Sequence, residues 1–490
     1  MKTLLVSLLL SVSVATAGAQ QWQYASSLSC AKRFVIFTTL DNGKVLATGG
    51  VTNDAPHAEC ELYDPATASW SLTGSLNVAR FLHSAVKLQD GRVAVFGGQS
   101  GGTLDDSPIN TDVIEIYDPS TGTWTVVGHM QIPREHQSAS LLTDGRVLIA
   151  GGLSGDSPVA SAEIFDPTTN TSTLVAPMQQ ARYEQQAASL LDGRVIVTGG
   201  RIGGWDGTFF NESEIYDPVA NTWTVIEPMH QPRMRGLLVQ FSDGSILCAG
   251  GRNAALSTAP GSELFDLSTG HWTETDAMKV PSTWLSCVLF PDDRYLATGG
   301  FSAFGIPSVS ADSCTATAEW YDKPNARWYF APTLNQARGQ HGAAYLHQEV
   351  NDSLPTDMVI VGGGITGDNT YTATCEILDV GNSALTAYKA MPINTSSAAS
   401  VSNSSAIRTV SLQYDANNVP TIEYRLDANE NVSVRLISMD GRFVKTYDQG
   451  SLPPGTYDLT LSGTGLTSGT YMALVQIGEE RTVEKLILSR

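Results

Sequence analysis

The sequence predicts an all-β protein: a seven-bladed β-propeller followed by a small immunoglobulin-like β-sandwich. Three observations point there. Gly-Gly pairs recur at Gly49, Gly97, Gly151, Gly199, Gly250, Gly299 and Gly362, at intervals of 48 to 63 residues. Each closes a short apolar run such as Arg92-Val93-Ala94-Val95-Phe96. Each is followed by Glu-x-aromatic-Asp, from Glu61 to Asp64 through Glu319 to Asp322, with a weaker seventh copy, Glu376 to Asp379, carrying Leu378.

The elements of one unit follow in order. In five units an Asn-Gly or Asp-Gly precedes the apolar run (Asn42, Asp90, Asp144, Asp192, Asp243). Both residue types tolerate positive φ, so each dipeptide reads as a hairpin turn joining the first two strands. The Glu-x-aromatic-Asp segment supplies a third strand. A Trp six residues past the Asp (Trp70, Trp124, Trp223, Trp272, Trp328) marks a fourth, with Ser172 and Leu385 at that place in units three and seven. A lone four-stranded sheet cannot hide both faces from water, whereas seven packed face to face around an axis can.

The double Gly, the downstream aromatic and the Trp resemble the kelch family over roughly residues 22–391. Ring closure has two candidates: Trp22 lies as far before Gly49 as Trp70 lies before Gly97, so the N-terminal segment could complete blade seven, and Leu385 competes for that place.

Residues 1–19 read as an export signal, with Lys2, an apolar stretch from Leu4 to Ala15 and A-x-A sites at Ala15 and Ala17. The propeller spans 20–392, a Ser- and Asn-rich linker 393–408, and the sandwich 409–490, where alternating runs such as Val432–Ile437 are separated by Gly and Pro. Met439-Asp440-Gly441-Arg442, Pro454-Gly455-Thr456-Tyr457, Leu466-Thr467-Ser468-Gly469-Thr470-Tyr471 and the ending Glu484-Lys485-Leu486-Ile487-Leu488 resemble the type A sorting domain of the type IX secretion system. That resemblance implies export through the periplasm, release or display at the outer-membrane surface, and the type IX machinery as a partner. An ordinary immunoglobulin-like module is the alternative.

A formal charge of −20 argues through the global field against a nucleic-acid backbone or an anionic membrane as the main partner, while leaving room for a local basic pocket, and no segment after the signal is long and apolar enough to span a bilayer. The six cysteines could pair in an exported chain, but they contain no C-x-x-C.

Chemistry is expected opposite the Asp-Gly turns, where the innermost strands begin. Most open with Arg: Arg80, Arg134, Arg182, Arg233 and Arg338, with Lys32 or Arg33 in blade one and Ser282 breaking the series. Such a repeated Arg suits blade-to-blade hydrogen bonding as well as a ligand. Two residues on, side-chain alternation places Leu82, His136, Glu184, Arg235, Trp284 and Gln340 on the same face as the Arg. His136, Glu184, Arg235 and Gln340 vary from blade to blade, as a ligand-facing ring would. Arg201 and Arg252, directly after Gly pairs, are placed near the same mouth, and Trp205, Phe209 and Phe210 either stack on a sugar or pack on a neighbouring blade. His83 and His341 share a repeat position that suits packing.

No metal or other cofactor is expected, since His136 and Glu184 are too few donors for a metal site. The kelch superfamily includes galactose oxidase, whose copper needs Tyr and His ligands and a Cys–Tyr crosslink that cannot be placed here. Periplasmic sialic-acid mutarotases share the architecture. The expected function is non-catalytic binding or adhesion to a glycan or protein outside the cell; the alternative is a carbohydrate-active enzyme of oxidase or mutarotase type using the axial pocket.

Overall fold

A computed structural model describes residues 21–102, 108–204, 207–253, 258–259, 261–302, 314–348, 356–367, 370–380, 410–414, 420–426, 429–438, 443–461, 469–477 and 480–488. The export signal, Trp205, Leu385 and the linker lie outside them.

Seven four-stranded antiparallel sheets form the propeller. Blade two is typical, with Ser84–Lys87 innermost, then Val93–Phe96, Val113–Asp118 and Thr123–His129. The second strands, such as Val45–Thr48 and Val195–Thr198, are buried along their whole length because neighbouring blades cover both faces. Between the blades, each aromatic lies directly across from its Trp, as Tyr63 from Trp70 and Tyr117 from Trp124, with ring centroids 5.3 and 5.2 Å apart. In blade three Ser172 faces Phe165 instead and donates its hydroxyl to Glu163 over 2.7 Å.

The N-terminal strand closes the ring. Gln23–Ala25 pairs with Cys375–Asp379 in the register Gln23 to Ile377, completing a blade whose inner strands are Gly342–Gln348 and Thr356–Gly362. Trp22 anchors it from a buried position, donating its indole N–H to the Pro332 carbonyl over 2.7 Å.

The Gly pairs sit where one blade meets the next. At Gly97 φ is +57°, and a Cβ would stand 2.3 Å from the Arg134 carbonyl oxygen of the following blade. Only glycine fits. In blade seven the equivalent pair is Gly363-Gly364, one residue later than the sequence pattern suggests; Gly362 remains in its strand.

The C-terminal segment forms a three-stranded sheet (Val410–Tyr414, Pro420–Leu426, Gly455–Thr460) and a four-stranded one (Phe443–Leu452, Glu430–Ser438, Gly469–Ile477, Glu480–Leu488). Ile422 and Tyr424 from the first and Val434, Leu436 and Val475 from the second share one core, as a sandwich requires. All six cysteines are free, so the pairing open to an exported chain is not made. Among the described residues, no helix is long and apolar enough to cross a membrane.

Candidate functional site at the axial mouth

Strand direction alternates within each blade, so the Asp-Gly turns gather on one face and the Gly pairs, with the starts of the innermost strands, on the other. The repeated Arg lies on the Gly-pair face but turns away from the axis. Arg80 is fully buried, giving Nη1 to the Gly97 and Val113 carbonyls at 2.9 Å and Nη2 to Glu115 at 2.6 Å. Arg134, Arg182, Arg233 and Arg338 repeat this against Glu163, Glu214, Glu263 and Glu376. The Glu in turn accepts backbone N–H groups of the incoming chain, as Glu115 does from Asn77 and Val78. These five arginines were candidates for ligand binding, and the structure assigns them to holding the blade.

In blade one Lys32 takes the Arg place, 3.4 Å from Glu61. Blade six has Ser282 there, so among the described residues Glu319 is buried with the Lys279 and Val280 N–H groups alone to accept, and burial pushes its pKa up to about 7.

The residue two beyond each Arg points into the axis because its backbone is left-handed. Phe34, Leu82, His136, Glu184, Arg235, Trp284 and Gln340 all have φ between +52° and +58°. Strand alternation therefore does not apply, and the two positions face opposite ways. Adjacent members join through their backbones: Phe34 N–H donates to Gln340 O at 2.9 Å, Arg235 to Glu184 at 3.1 Å and Gln340 to Trp284 at 3.0 Å. The seven side chains line an axial cavity of about 310 Å³. Phe34 was missed in the sequence; counting two residues from Lys32 finds it.

The ring is divided chemically. Trp284 reaches across to Phe34, with ring centroids 5.0 Å apart, and lies under the Arg235 guanidinium, 3.8 Å from the indole centroid. On the polar side Glu184, 1% exposed, accepts hydrogen bonds from Arg235 Nη2 and from Arg201 Nε, the latter at 3.0 Å, with His136 Nε2 3.7 Å away. Burial alone would raise the Glu184 pKa, yet Arg235, His136 and Arg201 outweigh it and hold it down to about 2. Burial, helped by Arg235 and Arg201 against Glu184, pulls His136 down to about 4, so it is neutral near pH 7. Arg252, also buried, is pulled down by burial and by Arg201. Two guanidiniums thus hold the Glu184 carboxylate, and Arg252 adds a third cation within electrostatic reach. Beside it, burial and Glu184 push Glu135 up to about 7. Gln340 accepts from Arg33 Nη1 at 3.2 Å.

Other expected groups serve packing. His83 and His341 bond Thr48 and Thr298 through Nε2. Phe209 and Phe210 are buried, with Arg182 above the Phe210 ring.

Fold and site together define a kelch-type β-propeller with a polar axial mouth. The chain carries a kelch-repeat domain within its seven-bladed propeller and a type IX secretion sorting domain at its C-terminal end. The "KLHDC2/KLHL20/DRC7 Kelch-repeats domain" family matches residues 35–251, and the "Secretion system C-terminal sorting domain" family matches residues 416–489. The tail marks the protein for secretion or cell-surface export. Kelch-like protein 15 of Danio rerio is 27% identical over 135 residues, 24% of this chain and 21% of that protein; galactose oxidase of Gibberella zeae is 36% identical over 92 residues, 19% of this chain and 12% of the oxidase. The matches thus span about a fifth or less of those relatives. A solved fungal alcohol oxidase of the AA5 family, in complex with copper, superposes with a TM-score of 0.59 at 17% identity, covering 96% of this chain and all of the other, a likeness of fold.

The mouth does not fit copper. Among the described residues no three His, Cys, Asp or Glu side chains converge, and the Glu184 carboxylate is already held by two guanidiniums. Their charge opposes a cation.

Proposed function

We infer that the protein is a non-catalytic binding protein acting outside the cell, with an axial mouth that grips the carboxylate of an acidic sugar. One observation supports this: Arg201 and Arg235 both hold the buried carboxylate of Glu184, and Arg252 lies near enough for its charge to act on theirs, a cationic cluster beside the axial cavity. Guanidiniums pair with carboxylates through two parallel hydrogen bonds, and a half-buried site strengthens them. Trp284 and Phe34 offer the apolar wall on which a sugar ring stacks. Export through the periplasm to the outer-membrane surface would bring the propeller to such glycans.

Calorimetry of the mature protein with glucuronate, N-acetylneuraminate and their neutral counterparts tests the inference. Binding of an acid but not its neutral counterpart, weakened at least about tenfold by Arg252→Gln, is expected. Equal affinity for both would count against it. The second reading is a sugar-active enzyme working by proton transfer, favoured by Glu135, whose pKa near 7 suits a general acid or base. Turnover of a reducing acidic sugar that is lost in Glu135→Gln would support it.

A further inference from the structure

Blade six departs from the repeat on the opposite, turn-bearing face. Its hairpin turn is Asp292-Asp293 where five other blades carry Asn-Gly or Asp-Gly, and Asp293 adopts φ +64°. The second position of its Glu-x-aromatic-Asp segment is Trp320, where the other six blades have Leu or Ile. The Asp ending that segment also behaves differently. In blades one to five its carboxylate caps the turn by accepting the N–H two residues on, as Asp118 does from Ser120 at 2.8 Å. In blade six that residue is Pro324, which has no N–H, so Asp322 is released from the task and, among the described residues, accepts from the Asn325 amide alone, at 2.7 Å.

These departures meet in one cavity of about 540 Å³, walled by Trp320, Tyr329, Asp292, Asp322, Arg294 and Lys323. A volume between roughly 300 and 1,000 Å³ is usual for small-molecule sites. Arg294 is 6% exposed, giving Nε to Asp292 at 2.7 Å and Nη2 to Asp357 at 3.0 Å, while its buried Nη1 has no hydrogen-bond partner among the described residues. Lys323 is held by Asp243 and lies 4.6 Å from the Phe241 ring centroid. The walls thus alternate carboxylate acceptors with cationic donors over aromatic surface.

The geometry points to a second ligand site here, for a neutral polyhydroxylated ring, the unit of an uncharged glycan. Hydroxyl groups both donate and accept, and so answer the carboxylates of Asp292 and Asp322 as well as the cations of Arg294 and Lys323. The C–H face of such a ring stacks on the half-buried Tyr329, with Trp320, 4% exposed, closing the cavity from the core side. A purely cationic ligand would leave the donors unanswered, and an anionic one would meet the carboxylates.

Saturation-transfer NMR and calorimetry of the full mature protein with glucose, galactose, mannose, N-acetylglucosamine and their short oligomers test the site. At least one should bind saturably, and Asp322→Asn and Tyr329→Ala should each weaken it about tenfold while the melting temperature stays within about 3 °C. Absence of saturable binding across the panel, binding unchanged in both variants, or preference for a lysine-rich peptide over every sugar would overturn the proposal. Acid binding at the axial mouth is measured separately, so neither result decides the other.

Discussion

Arg201 Nε donates to Glu184 Oε2 over 3.0 Å, joining the residue after a Gly pair to a member of the axial ring within the same blade. Arg235 of the next blade holds the other oxygen of that carboxylate. One buried acid thus organises cations from two blades, and its removal separates structural from binding roles. Glu184→Ala removes the buried carboxylate that Arg201 and Arg235 both hold, and is expected to cost about 3–5 kcal/mol in urea denaturation. Millimolar glucuronate should recover part of that loss by standing in for the missing carboxylate.

Arg233→Ala removes the buried cation paired with Glu263, itself 1% exposed, leaving that carboxylate to His230 and two backbone N–H groups. A loss of about 3–5 kcal/mol is expected, with ligand affinity per folded molecule unchanged, because this guanidinium does not reach the axial cavity. Calorimetry on the folded fraction separates the two effects.

Glu319 gives a pH dependence of definite sign. Its folded pKa, about 7, lies above the unfolded carboxylate value, so the folded state binds the proton more tightly. Its contribution to stability is fully present below the unfolded pKa and is lost as pH rises through 7. In Glu319→Gln the fall in unfolding free energy between pH 5 and 8 should be smaller than in the wild type by roughly 2–3 kcal/mol. An unchanged slope would place the proton elsewhere.

Trp22→Ala empties the anchor of the closing strand. The expected cost is about 3–5 kcal/mol, with hydrogen exchange accelerating first in Cys375–Asp379.

Deletion of residues 409–490 should leave a folded propeller in the periplasm, seen by fractionation. Normal export of the shortened chain would refute the role given to the tail.

The propeller was legible because its signals are periodic. Gly pairs, Asp-Gly turns and Tyr–Trp pairs each answer a local constraint of backbone angle or packing, and seven copies make the register plain. The axial ring was legible only in part. Its members were found by counting from the Arg, but the rule that placed Arg and ring residue on one face failed, since a left-handed residue rotates the chain between them. That conformation usually announces itself by glycine, and here Leu82, Glu184 and Trp284 adopt it, held by backbone hydrogen bonds between blades that no single segment encodes. The blade-six cavity is not legible in the repeat for another reason: its residues, Trp320, Asp292, Asp322 and Pro324, stand at repeat positions whose usual occupants do not form a site, and only the three-dimensional turn brings them together.

The way the ring closes also settles how the molecule would bear tension. The C-terminal segment leaves from Cys375–Asp379, which the N-terminal strand turns from an outermost strand into one gripped on both sides. A pull on that end, as when a displayed protein is dragged by fluid flow, must shear hydrogen bonds along two neighbours together, rather than peel one open from its tip. Gln23–Ala25 thereby acts as the clasp of the ring.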